Sequence, residues 1–139
     1  MKRFAFAIAA WLALCVAPAL AQGVSPNQMF GCNQSTIYDA STSGATRLVT
    51  GNSTSRIYVC GFDLWSSGTA NVDLVYGTGG TCGAGTTKVT PAFQFTAQTG
   101  IVDHLPFYTG ALPVPVSNDL CINSSAGVAV QAIVYYTQF

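Results

Sequence analysis

The sequence predicts an all-β fold: a single antiparallel β-sandwich, jelly-roll or immunoglobulin-like, of about seven or eight strands with two disulfides. Three observations carry that expectation. From Arg56 onward apolar residues alternate with period two, as half-buried strands require. After residue 21 no apolar stripe recurs at helical spacing, and Leu, Glu, Lys and Arg are too few to favour helices. Once an N-terminal leader is set aside, the cysteines number four, an even set.

The leader comes first. Lys2 and Arg3 precede an apolar run from Phe4 to Val16, then Pro18 and the triplet Ala19-Leu20-Ala21. A positive start, a short apolar stretch and an A-x-A site make residues 1–21 a secretory signal peptide. The run is shorter than the roughly 20 residues a membrane span needs. Leu14 before Cys15 argues against a lipidation site. Residues 22–139 then form one domain. It carries Arg47, Arg56 and Lys88 against Asp39, Asp63, Asp73, Asp103 and Asp119, net −2, with no glutamate. Three scattered cations cannot replace the counterions of a nucleic acid, so no nucleic-acid partner is expected, and no membrane span in the mature chain.

The four cysteines are Cys32, Cys60, Cys82 and Cys121. Exported to an oxidising compartment, secreted or periplasmic, they read as two disulfides with three connectivities open. The pairing Cys32–Cys60 and Cys82–Cys121 is preferred; each bridge closes a loop worth about 3–4 kcal/mol of chain entropy. No C-x-x-C spacing occurs and His104 is the only histidine, so neither a metal nor a cofactor is expected.

Along the strands, Arg56–Trp65 places Tyr58, Cys60, Phe62 and Leu64 on one face and Ile57, Val59, Gly61, Asp63 and Trp65 on the other. Ser66-Ser67-Gly68 then reads as the turn of a hairpin to Asn71–Tyr76. Gly77–Gly85 is a glycine-rich loop tethered by Cys82. Val89–Thr96 is a strand with Phe93 and Phe95 on one face and Pro91 at an edge or bulge. Gly110–Val116 is extended, with prolines that exclude a central strand. Asp119–Ser124 and the long Val128–Phe139 close the series.

Few residues offer chemistry. The Gly77–Gly85 loop ends in Thr86-Thr87-Lys88 and leads into a strand, not a helix, so it is no phosphate cradle. Asp103-His104 adjoin, but neighbours on a strand face opposite ways, which suits an exposed loop pair better than a triad. Asp63 and Asp73 stand nearly opposite in the proposed hairpin, where two carboxylates would repel or share a cation; without a glutamate, glycoside hydrolysis is not expected. Trp65 lies at a strand end on the Asp63 face, placed either to stack on a ligand or to close the core rim. Asn33, Asn52 and Asn123 open formal glycosylation sequons.

The segments Val75–Thr90 (VYGTGGTCGAGTTKVT) and Asn118–Phe139 (NDLCINSSAGVAVQAIVYYTQF) resemble small β-sandwich domains of bacteriophage virion proteins and of exported bacterial proteins of unknown function. The resemblance implies a structural or surface-interaction role with no catalytic residues to carry over. The signal peptide departs from a virion protein and fits a host-encoded or prophage-acquired secreted relative.

The leading expectation is an exported, non-enzymatic β-sandwich that binds a protein or glycan surface, or serves as a structural subunit, with homo-oligomers left open. The candidate binding residues are Trp65, Asp63 and Asp73. The alternatives are a small eight-stranded outer-membrane barrel, for which the apolar strand ending at Phe139 speaks, and an enzyme or inhibitor acting on an extracellular polymer.

Overall fold

The computed structural model describes residues 31–104, the side chain of His104 excepted, and 111–139. The expected leader lies outside them, as do Phe107 and Tyr108. All the described residues belong to one unit, Gly31–Phe139. Its strands are β1 (Gln34–Ala40), β2 (Gly44–Val49), β3 (Ile57–Ser66), β4 (Ala70–Thr78), β5 (Ala84–Lys88), β6 (Phe93–Phe95), β7 (Thr99–His104), β8 (Leu112–Val114), β9 (Asp119–Ser124) and β10 (Val130–Gln138). Among the described residues there is no helix, hence none long and apolar enough to cross a membrane.

The strands form two antiparallel sheets. The front sheet runs β1-β10-β3-β7 with β8 also on β3; the back sheet runs β2-β9-β4-β5 with β6 also on β4. β7 pairs with Gly61–Ser66 and β8 with Ile57–Val59, so together they make one interrupted edge of β3. β5 and β6 share the edge of β4 in the same way. Ten segments therefore fill eight positions, and the chain passes between the sheets in the order of a jelly roll. The expected count of seven or eight holds for positions and not for segments. The interruption between β5 and β6 has a local cause. Val89 and Thr90 both donate to the Leu74 carbonyl, Leu74 N donates to Thr90 Oγ1 at 3.0 Å, and Pro91 then has no N–H to continue the ladder.

Between the sheets lies an apolar core. Ile57, Val59, Phe62 and Leu64 of β3 and Ala132 and Val134 of β10 pack against Val72 and Leu74 of β4 and Leu120 and Ile122 of β9. Complete burial of side chains of this size is worth about 1.5–3 kcal/mol each, and Val59, Val72, Leu74, Leu120 and Val134 are fully buried. This filled interior between two sheets with separate edges overturns the barrel alternative.

Two further expectations are corrected. Tyr58, Cys60, Phe62 and Leu64 do not share one face of β3, nor do Ile57 and Val59 share the other with Asp63 and Trp65. Val59 pairs with Tyr136 and Gly61 with Tyr135, so Cys60 is an extra residue, a β-bulge that shifts the alternation by one. Ile57 and Val59 before it and Phe62 and Leu64 after it share the core face, while Cys60 and Gly61 stand together opposite Tyr135. Nor do β3 and β4 form a hairpin: the turn after Ser66 carries the chain from the front sheet to the back one. There Ser66 Oγ donates to Gly68 O at 2.9 Å and Ser67 N to Ala129 O at 2.9 Å. Both strands are flanked on each side by other partners, and alternation marks a half-buried strand without naming its neighbour.

Cys32 is bonded to Cys60 and Cys82 to Cys121, the pairing preferred from the sequence. The second bridge is completely buried. Its loop folds back closely enough that a Cβ on Gly77 would meet Cys82 O at 2.5 Å and Ala84 O at 2.9 Å, so only glycine fits there.

Candidate binding face

One side of each sheet is committed to the core, so the sheets present their other side chains on two outer faces. Register fixes what the front sheet presents. Ile37, Ile133, Asp63 and Val102 stand in one cross-strand row over β1, β10, β3 and β7, and Asp39, Gln131, Trp65 and Gly100 in the next. Beyond the first row come Ser35, Tyr135, Gly61 and the position of His104. Among the described residues, three of the five exposed large apolar side chains lie in these rows: Ile37 at 75 %, Val102 at 67 % and Trp65 at 38 %. Together the first two rows line a shallow groove of about 450 Å³, within the size range of ligand sites.

Polar side chains on this face are held by one another. Tyr135 donates its hydroxyl to Asp63 Oδ2 at 3.0 Å, and Gln131 donates Nε2 to Asp39 Oδ2 at 3.2 Å. The hydrogen bond to Asp63, with burial and the charge of that carboxylate adding to it, holds the Tyr135 phenol above its usual pKa of 10.0. Tyr135 is therefore a protonated donor at neutral pH and not a latent nucleophile. Trp65 is seated by its cross-strand neighbour. A Cβ on Gly100 would meet Leu64 O at 2.9 Å and Trp65 Cδ1 at 3.4 Å. The bare backbone of Gly100 thus leaves the indole room to lie over β7.

The back sheet is organised differently. Asp73 is buried to 3 % exposure, accepts Asn123 Nδ2 at 2.8 Å and pairs with Lys88 Nζ at 3.0 Å. Asp119 accepts Gly51 N at 2.8 Å and pairs with Arg47 at 3.4 Å. Between these pairs the Cys82–Cys121 bridge packs on Val75 and Ala45.

Of the residues singled out from the sequence, the structure brings Trp65 and Asp63 together and sends Asp73 to the opposite face of the sandwich. The facing carboxylate pair expected of a hairpin does not form, because β3 and β4 belong to different sheets, and the shared-cation site falls with it. No group of three metal-binding side chains occurs among the described residues. Asp103 and His104 lie in β7 rather than in a loop. The sequence did not point to Ile37, Asp39, Val102, Gln131 or Tyr135 as companions of Trp65. Only the order β1-β10-β3-β7 assembles them, and no local motif encodes that order.

No protein-family model matches the chain, and no curated protein does. Among solved structures it is similar to a chain in the work titled "Crystal structure of the T13 IBDV viral particle reveals a missing link in icosahedral viruses evolution". The identity is 12 %, covering 76 % of this chain and 31 % of that one, with a TM-score of 0.31. This chain thus spans about a third of that chain's length, and at such a score the likeness carries no argument about partners or assembly.

Proposed function

We propose that the protein is an exported, non-enzymatic β-sandwich that works by surface contact, and that the outer face of its front sheet is the contact face. One observation carries the reading: Ile37, Trp65 and Val102 are exposed together on a concave face bordered by hydrogen-bonded polar pairs. Exposed apolar area gathered in one place and rimmed by polar groups marks interaction sites. Two disulfides suit an oxidising environment. A binding role is favoured over hydrolysis by the distribution of carboxylates. Asp63 is engaged by Tyr135 on one sheet and Asp73 by Lys88 and Asn123 on the other, so these two acids do not form the facing pair that glycoside cleavage uses.

Retention of the protein on cell-envelope protein and polysaccharide fractions tests the reading, with Trp65→Ala compared at equal folded concentration. Retention of the wild type and its loss in Trp65→Ala are expected. Polymer hydrolysis that vanishes in Asp63→Ala or Asp73→Ala would overturn it.

A further inference from the structure

We infer that the front face binds a neutral glycan, with an N-acetylated hexosamine stacked on Trp65 and its acetamido methyl on the neighbouring aliphatic side chains. The inference rests on the contact-face reading above and names its ligand class. The Trp65 row makes the first argument. Gln131 of β10 stands beside Trp65, and Asp39 of β1 beside Gln131. On the other flank Gly100 of β7 puts no side chain against the indole. A pyranose turns the C–H bonds of one face to an aromatic ring, whose negative π face attracts them, and its hydroxyls then point sideways. Sideways of Trp65 is the Gln131–Asp39 pair, bonded at 3.2 Å and exposed. That bond takes one amide N–H and one carboxylate oxygen. The amide carbonyl, its second N–H and the other carboxylate oxygen remain to exchange hydrogen bonds with hydroxyls.

The aliphatic row makes the second. Val102 and Ile133 stand diagonal to Trp65 on the strands either side of β3. Diagonal neighbours lie about 7–8 Å apart, within reach of an acetamido arm from a ring on the indole. A sugar with hydroxyls alone would set polar groups against these side chains, whereas an acetamido methyl removes apolar area from water. Ile37 continues the row on β1. The row thus crosses four strands spaced about 4.8 Å, a span for successive units of an oligosaccharide laid across them. The third argument is the kind of site. Anchors of protein interfaces fill desolvated pockets, but this groove is shallow and its indole adjoins two exposed polar side chains. Among the described residues no Lys or Arg lines it, and these are the side chains that hold a sugar acid or phosphate; the glycan is therefore neutral.

The test titrates the protein with a tetramer of N-acetylglucosamine, the tetramer of glucose with the same linkage, and the capped peptide Gly-Ile-Ser-Val-Gly. Calorimetry gives the affinity. Tryptophan emission gives the place, because a change that vanishes in Trp65→Phe comes from that ring. The expected result is saturable binding of the N-acetylglucosamine tetramer with such a change, indifferent to added salt. The glucose tetramer should bind roughly fourfold more weakly. Trp65→Ala should weaken the first sugar by roughly tenfold and Gln131→Ala by roughly threefold. Gln131 is exposed, so its variant keeps the fold. Equal affinity for the two sugars, sugar binding untouched by both variants, or binding of the peptide alone would overturn the inference. No binding of any probe would also overturn it. The envelope-retention assay judges the contact face separately: retention on the protein fraction alone keeps that face and rejects the glycan.

Discussion

The two outer faces of the sandwich are built from the same geometry and finished in opposite ways. On the back sheet a buried disulfide, Val75 and two ion pairs cover the strands; on the front sheet aliphatic side chains and an indole are left in solvent. The difference teaches that ion pairs and a fully buried bridge cover one outer face, while the other keeps its aliphatic side chains and indole exposed.

Breaking the covered side should have the largest effect. Replacing both Cys82 and Cys121 by alanine removes a cross-link between residues 39 apart and should cost about 4 kcal/mol by the chain-entropy relation, read by urea denaturation against wild type. Next comes the buried carboxylate. Asp73→Ala leaves the Asn123 amide and the Lys88 ammonium without their acceptor and should cost about 1–3 kcal/mol, with binding by the front face unchanged at temperatures where the fold persists. On the open side, substitutions should separate stability from contact. Ile37→Ser together with Val102→Ser replaces mainly exposed side chains and should alter unfolding by less than about 1 kcal/mol, yet abolish retention on the partner fraction. A stability loss as large as that of Asp73→Ala would show that these residues are covered after all.

The smallest effect is in pH. The Tyr135 pKa is raised in the folded protein, so the stabilisation its phenol supplies is complete below the ordinary value of 10.0 and is lost as pH climbs through the raised one. Wild type should therefore lose thermal stability above pH 10 more steeply than Tyr135→Phe, as followed by circular dichroism melts. Parallel profiles would contradict the Tyr135–Asp63 bond.

The two central strands of the back sheet were legible in the sequence, whereas β5 was hidden in a glycine-rich stretch read as a loop and β6 is shorter than the Val89–Thr96 strand expected. Asp119–Ser124 alternates Leu120 and Ile122 against Cys121 and forms β9 within those bounds, because a short, doubly flanked strand with strict alternation has one way to lie. The final strand was equally plain from its Val, Ile and Tyr content. The bulge at Cys60 was not legible, since one extra residue in a strand leaves the composition unaltered while exchanging the faces. The weakly apolar β1 and β2, rich in Ser and Thr, gave little period-two signal. The candidate binding face suffered most. Its two principal rows draw on residues from Ile37 to Ile133, so it exists only once sheet order is known, whereas Trp65 and Asp63 were visible early because they share one strand.

The central claim, that one face is for contact and the other closed, is tested most directly by site-specific photo-crosslinking on intact cells producing the protein. A benzophenone amino acid is placed at Val102 on the outer face of the front sheet or at Gln94 on the outer face of the back sheet, both exposed positions on edge strands. The account predicts a discrete adduct from position 102 that is absent when Trp65 is changed to alanine, and none from position 94. An adduct from position 94 alone, equal adducts from both, or none from either would contradict it.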